Sequence, residues 1–195
     1  TVRIRDQDGV EGLGYTYTVG TAADAILSLI RNDMSPVLIG ADGTRIEHLW
    51  QTLWWHLHYA GRGGPTSFAL SAIDIALWDL KAKKAGQPLW RLLGGHDAEV
   101  MAYAGGIDLF FPLEKLLAQT QDNLDKGFKA IKMKVGRDSL REDLERVAAM
   151  RDFLGADFPL MVDANMRWRV DQAIRAAQSF APFGLVWLEE PTIPD

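Results

Sequence analysis

Ala130-Ile131-Lys132-Met133-Lys134-Val135, Leu160-Met161-Val162-Asp163 and Leu185-Val186-Trp187-Leu188-Glu189 are three short apolar runs, each carrying charge at or near its end. Runs of this length suit buried strands and are too short for helices. The segments between them have helical spacing. Asp138-Ser139 offers a cap for a helix with Leu140, Leu144, Val147 and Ala148 on one side and Gly155 after it, and residues 170–180 form the next amphipathic run. Upstream, residues 112–126 carry Leu113, Leu116 and Leu117 and end at Gly127, where a left-handed cap is expected; residues 100–104 are a further strand candidate. Strands alternating with helices predict βα units and a parallel sheet.

The charges repeat with the strands. From Lys134 to Asp163 is 29 residues and from Asp163 to Glu189 is 26, about the length of one βα unit in an eight-unit barrel of roughly 250 residues. Groups at the carboxyl ends of neighbouring parallel strands lie side by side, at the face where barrels build active sites. Lys132 and Lys134 are two apart, so on a strand they share a side, with Ile131 and Met133 opposite. If the pair faces the interior near a divalent cation, burial and repulsion disfavour the ammonium form and make one lysine available as a base. Taken singly, each residue has a plainer reading: Lys-x-Lys as solvated strand charge, and each carboxylate as a helix cap or an ion-pair partner. Four in register favour a site, with Mg²⁺ between the carboxylates to balance their burial.

Residues 1–95 have a different rhythm. Alternating residues on both sides of Asp8-Gly9, extending to Val19, predict a β-hairpin. Residues 22–31 and 44–59 have helical spacing, and Trp50, Trp54 and Trp55 of the second helix are expected in the core. After the break Gly61-Arg62-Gly63-Gly64, Pro65 opens a third helix with Leu70, Ile73, Ala76, Leu77 and Leu80 at three- and four-residue steps. The break lacks the Lys-Ser/Thr of a phosphate loop. His56 and His58, two apart on a helix, face different sides and are expected to be structural, and His96 is expected in a loop. The reading is an α+β unit over residues 1–95 and a barrel-type unit over residues 96–195, α/β overall.

A formal charge of −5 without long single-sign blocks argues against nucleic acid as a partner. With no cysteine, disulfides and thiolate metal sites are excluded, so a metal must be held by oxygen or nitrogen. No stretch reaches about 18 consecutive apolar residues, and the start has no signal-like core; the expectation is a cytoplasmic protein with no membrane partner.

Ala130-Ile131-Lys132-Met133-Lys134-Val135-Gly136, Met161-Val162-Asp163-Ala164-Asn165 and Trp187-Leu188-Glu189-Glu190-Pro191 resemble the successive barrel motifs of the mandelate racemase branch of the enolase superfamily. The helix 71–80 and Pro88-Leu89-Trp90-Arg91-Leu92-Leu93-Gly94-Gly95 resemble the end of its capping domain. The resemblance implies a capping domain followed by part of a (β/α)8, TIM-like barrel. It implies Lys134 as general base, Lys132 as the group that binds the substrate carboxylate and tunes Lys134, and Asp163 and Glu189 as Mg²⁺ ligands. Asn165 would touch substrate beside Asp163, and Glu190 would stand behind the ligands. Arg167 and Trp168, in the loop after Asn165, are further substrate contacts to test, against an exposed arginine and a packing tryptophan. The family's third carboxylate ligand and its His-Asp pair are not among these 195 residues, so the expectation is a fragment, incomplete at both ends and inactive alone. The implied reaction is dehydration of a sugar acid to a 2-keto-3-deoxy acid by a homo-oligomeric enzyme. Racemisation, epimerisation and cycloisomerisation are the alternatives within the superfamily. A binding or assembly module without catalysis, with the aromatic helix 50–59 as its contact, is the alternative of another class.

Overall fold

The computed structural model describes residues 1–194, and the chain divides into two compact units, residues 1–98 and 99–195.

In the first unit, β1 (Val2–Arg5) and β2 (Glu11–Gly14) pair antiparallel, with Val2 opposite Gly14 and Arg5 opposite Glu11. The Asp6 carboxylate accepts the Asp8 and Val10 amides at 3.0 and 2.9 Å and closes the turn. The expected second strand to Val19 is shorter, because its partner supplies four residues; Tyr15 and Tyr17 beyond Gly14 are exposed. The hairpin rests on α4 (Pro65–Lys84), preceded by α1 (Ala23–Ser28), α2 (Ser35–Leu38) and α3 (Ile46–Leu57) and followed by α5 (Leu89–Leu92). Gly12 and Gly14 lie so close to α4 that a Cβ on either would overlap the Ala76 or Ala72 carbonyl oxygen. The helix expected over residues 22–31 continues to Leu38 through a π turn, Leu29–Met34. There the Ser35 hydroxyl donates to the Ile30 carbonyl at 2.7 Å, and Pro36, which has no N–H, follows.

Ile46, Leu49, Leu53 and Leu57 form the buried stripe of α3, whereas Trp50 and Trp55 are 41% and 62% exposed. This corrects the expectation for both tryptophans. The core-facing positions recur at three- and four-residue steps from Ile46, and the two indoles fall between them. Trp54 alone of the three packs against the core.

In the second unit, β3 (Ala104–Gly105), β4 (Ile131–Lys134), β5 (Leu160–Asp163) and β6 (Leu188–Glu189) form a parallel sheet in chain order. They are linked by α6 (Leu113–Asp125), α7 (Leu140–Leu154) and α8 (Val170–Phe180). β5 is buried on both faces, as a parallel strand covered on both sides must be. The outer strands are shorter than expected. Val100 and Met101 are exposed ahead of β3, and only Leu188 and Glu189 are in the β6 ladder, although the Val186 amide still donates to the Leu160 carbonyl at 2.9 Å. The core is built from Leu116, Met133, Val135, Val147, Met150, Leu160 and Val162, with Trp168 and Phe180 at one side.

Candidate active site

Register brings the four charged strand residues together: Lys134 stands opposite Asp163, and Asp163 opposite Glu189. β4 alternates buried and half-buried residues, so Ile131 and Met133 enter the core while Lys132 and Lys134 share the other face. Lys134 Nζ donates to Asp163 Oδ2 at 2.6 Å. Lys132 Nζ donates to Glu189 Oε1 at 2.6 Å and lies 3.3 Å from Asp163 Oδ2. Asp163 is 2% exposed, and the lysine side chains are 11% and 18% exposed.

Burial opposes the charge of Lys132, but its hydrogen bonds with Glu189, Tyr103 and Asp163 prevail and hold its pKa above the usual lysine value. At Lys132 two neighbouring carboxylates outweigh burial. Burial likewise opposes the charge of Asp163, and the bonds from Lys134, the Asn165 amide and Lys132 prevail and hold its pKa below the usual aspartate range.

The loops above the strands place the remaining candidates. The Asn165 amide donates to Asp163 Oδ1 at 2.9 Å and its Nδ2 donates to Glu190 Oε2 at 3.2 Å. Asn165, Met166 and Glu190 all have positive φ, a conformation that side chains other than glycine adopt at a cost and that gathers at functional loops. Arg167 Nε donates to the Gly136 carbonyl at 2.7 Å, and its guanidinium lies over the Phe110 ring, so it joins the loops after β4 and β5. Trp168 is buried against Phe180 and packs the core, as the plainer reading had it. His56, His58 and His96 lie in the first unit, and none belongs to this cluster.

Two aromatic side chains escaped the sequence reading. Tyr103 lies with its ring 5.2 Å from Lys132 Nζ and packs edge-on against Trp187, whose Nε1 donates to Glu189 Oε2 at 3.0 Å. Each stands two residues before the carboxyl end of its strand, so the rule that found the charges finds them too once aromatics are included. A second group, Asp108, Asp143 and Arg146, is buried beneath the loop after β4. Asp143 and Arg146 occupy the core stripe of α7 together with Val147 and Met150, and a charge at a core position of an amphipathic helix was the available signal.

One cation, the Lys132 ammonium, reaches oxygens of both Asp163 and Glu189. These two carboxylates therefore converge on a point that a small oxygen-seeking ion could share. Among the described residues, no group of three or more His, Cys, Asp or Glu converges in this way, and no helix is long and apolar enough to cross a membrane.

Residues 1–94 match the family model for the mandelate racemase / muconate lactonizing enzyme N-terminal domain, and residues 115–195 match that of the enolase C-terminal domain-like family. A 3,6-anhydro-alpha-L-galactonate cycloisomerase of Streptomyces coelicolor is 58% identical over 195 residues, covering 100% of this chain and 54% of the relative. An L-talarate/galactarate dehydratase of Salmonella typhimurium is 40% identical over 190 residues, covering 96% of this chain and 47% of the relative. The crystal structure of a racemase from Streptomyces coelicolor A3(2) with bound magnesium superposes with a TM-score of 0.97 at 58% identity, over 99% of this chain and 58% of the other. The chain thus spans about half the length of the curated relatives it matches. With both domain models matched in order, the chain belongs to the mandelate racemase / muconate lactonizing enzyme family of the enolase superfamily.

Proposed function

We propose that this chain carries the proton-abstracting part of a Mg²⁺-dependent enzyme acting on sugar acids. Lys134, as the neutral amine, takes the proton α to the substrate carboxylate, and Lys132 offers its ammonium to that carboxylate. The observation that supports this most is the convergence of Lys132, Lys134, Asp163 and Glu189 at the ends of three adjacent strands. Asp163 and Glu189 would hold the metal, and a bound Mg²⁺ supplies positive charge where the enolate's negative charge develops. Asn165 is fixed between Asp163 and Glu190 by its two hydrogen bonds, and in this reading it presents its amide to substrate hydroxyls. Arg167 contacts substrate with the guanidinium nitrogens not bound to Gly136.

Two outcomes share this first step. If the oxygen on the neighbouring carbon leaves as water, the product is a 2-keto-3-deoxy acid, the dehydration anticipated from sequence. If that oxygen belongs to an anhydro ring, the same elimination opens the ring and nothing leaves, which is an isomerisation. The 58% identity to a cycloisomerase puts ring opening level with dehydration.

The test is deuterium incorporation at the α-carbon, followed by NMR in D₂O with Mg²⁺, using the whole protein and a panel of aldonates, aldarates and a 3,6-anhydro-aldonate. Lys134→Ala is expected to slow exchange by about 10³-fold, in the range of a positioned general base. Undiminished exchange in that variant would remove Lys134 from the role. In a parallel reaction in H₂O, a product of unchanged mass identifies isomerisation, and loss of one water identifies dehydration. Neither exchange nor product with any acid favours the non-catalytic alternative.

A further inference from the structure

We propose that Asp108 and Arg146 are positioning residues of Lys134, holding its backbone where the sheet itself no longer can. The proposal rests on the reading of Lys134 as the base. β3 pairs with β4 only at Ala104 opposite Ile131 and Gly105 opposite Lys132, so Lys132 lies within the ladder on that side. Lys134, one step further along the same edge, lies past the end of β3. Its N–H donates instead to Asp108 Oδ1 at 2.8 Å, and its carbonyl accepts from Arg146 Nη1 at 2.8 Å. Two side chains thus replace the absent strand. On the other side, the ladder continues as normal, with the Val135 amide donating to the Asp163 carbonyl at 3.0 Å.

The clamp is itself fixed. Arg146 Nη2 donates to the Asp108 carbonyl at 2.8 Å, and Gln119 Nε2 donates to Asp108 Oδ2 at 3.2 Å. A Cβ on Gly106 would overlap both Gln119 Nε2 and Asp108 Oδ2, so this position admits only glycine without displacing them. Asp143 Oδ2 accepts the Gly136 and Arg137 amides at 2.8 and 2.9 Å, fixing the turn that follows Lys134. Asp108, Asp143 and Arg146 are 1%, 0% and 4% exposed. Apolar residues would fill this space at lower electrostatic cost, and what the charges provide that apolar residues cannot is a fixed backbone under Lys134. The arrangement acts on one lysine of the pair: on the β3 side, Lys132 is placed by strand pairing and Lys134 by the clamp.

The experiment uses the whole protein and compares wild type, Asp108→Ala, Asp108→Asn and Lys134→Ala by amide hydrogen exchange at Lys134 and by kcat and KM for α-proton exchange. In Asp108→Ala the Lys134 amide should lose protection, and kcat should fall about a hundredfold, the cost of a displacement near 1 Å at a reacting group. KM should stay within about twofold, since substrate binding is not what the clamp supports. Asp108→Asn, which retains the Oδ1 acceptor, should restore both. A protected Lys134 amide in Asp108→Ala, an unchanged kcat, or parallel changes in kcat and KM would overturn the proposal. If Asp108→Ala does not fold, Gln119→Leu, which frees only Oδ2, should lower kcat about tenfold with KM held, and an unchanged kcat overturns the proposal as well. Full exchange in Lys134→Ala would instead remove the base reading, leaving the amide measurement to judge the clamp alone.

Discussion

The two units use charge in different ways. In the first, the ion pairs lie at the surface: Arg5 with Glu11, Lys83 with Asp79, and Lys84 with Asp6 and Asp8, where the basic partners are 40–69% exposed. Its described core is apolar apart from Thr66. In the second unit, Asp108, Asp143, Arg146 and Asp163 are all buried. Exposed pairs add little to stability, whereas a buried charge costs several kcal/mol unless its partners are well placed. Charge taken into an interior at that cost marks where a fold serves chemistry, and here all of it lies at the carboxyl end of β4 and β5.

The largest expected effect on this contrast comes from Arg146→Met, which leaves Asp108 and Asp143 without their cation. It should destabilise the second unit by about 3–5 kcal/mol, the usual cost of breaking a buried pair, measured as lost protection of the Leu160 and Val162 amides. A loss below 1 kcal/mol would mean that the buried charges are no more costly to disrupt than a surface pair.

A smaller effect concerns the buried carboxylate of the second unit and its dependence on pH. The Asp163 pKa is depressed on folding, so its contribution is complete above the ordinary aspartate value of about 3.9 and is lost as pH falls through the lowered one. Asp163→Asn should therefore flatten the acid limb of stability of the second unit, read by urea unfolding at stepped pH. An unchanged acid limb would show that Asp163 is not held by Lys134 and Lys132 in solution.

The smallest effect is expected for Lys84→Ala, which breaks two exposed contacts of the first unit. Its thermal midpoint should be indistinguishable from wild type, and a clear drop would erase the contrast.

Much of the site could be read from sequence because it depends on period. Lys132 and Lys134 share a face because strands repeat every two residues, and Asp163 and Glu189 join them because βα units repeat. β5 and α8 occupy the residues expected for them, since the first is apolar throughout and the second amphipathic throughout. Period did not reveal the clamp: Asp108 lies in a loop and holds Lys134 through its backbone, which leaves no mark on the Lys134 side chain type. Nor does aromatic content tell which face of a helix is buried, as Trp50 and Trp55 show. The lengths of β2, β3 and β6 depend on what the neighbouring strand offers, which no local pattern encodes.

The hydrogen bond from the Trp187 indole to Glu189 gives the molecule an optical readout of its own. Indole emission responds to a charge a few ångströms away, and the Glu189 carboxylate is 3.0 Å from the ring nitrogen. Any ion that takes that carboxylate changes the light from Trp187, while the other six tryptophans, among them Trp168 buried against Phe180 and Trp55 largely in water, supply the background. Titration of magnesium followed by fluorescence, with Trp187→Phe as the blank, reads occupancy of the carboxylate pair without a substrate and without turnover.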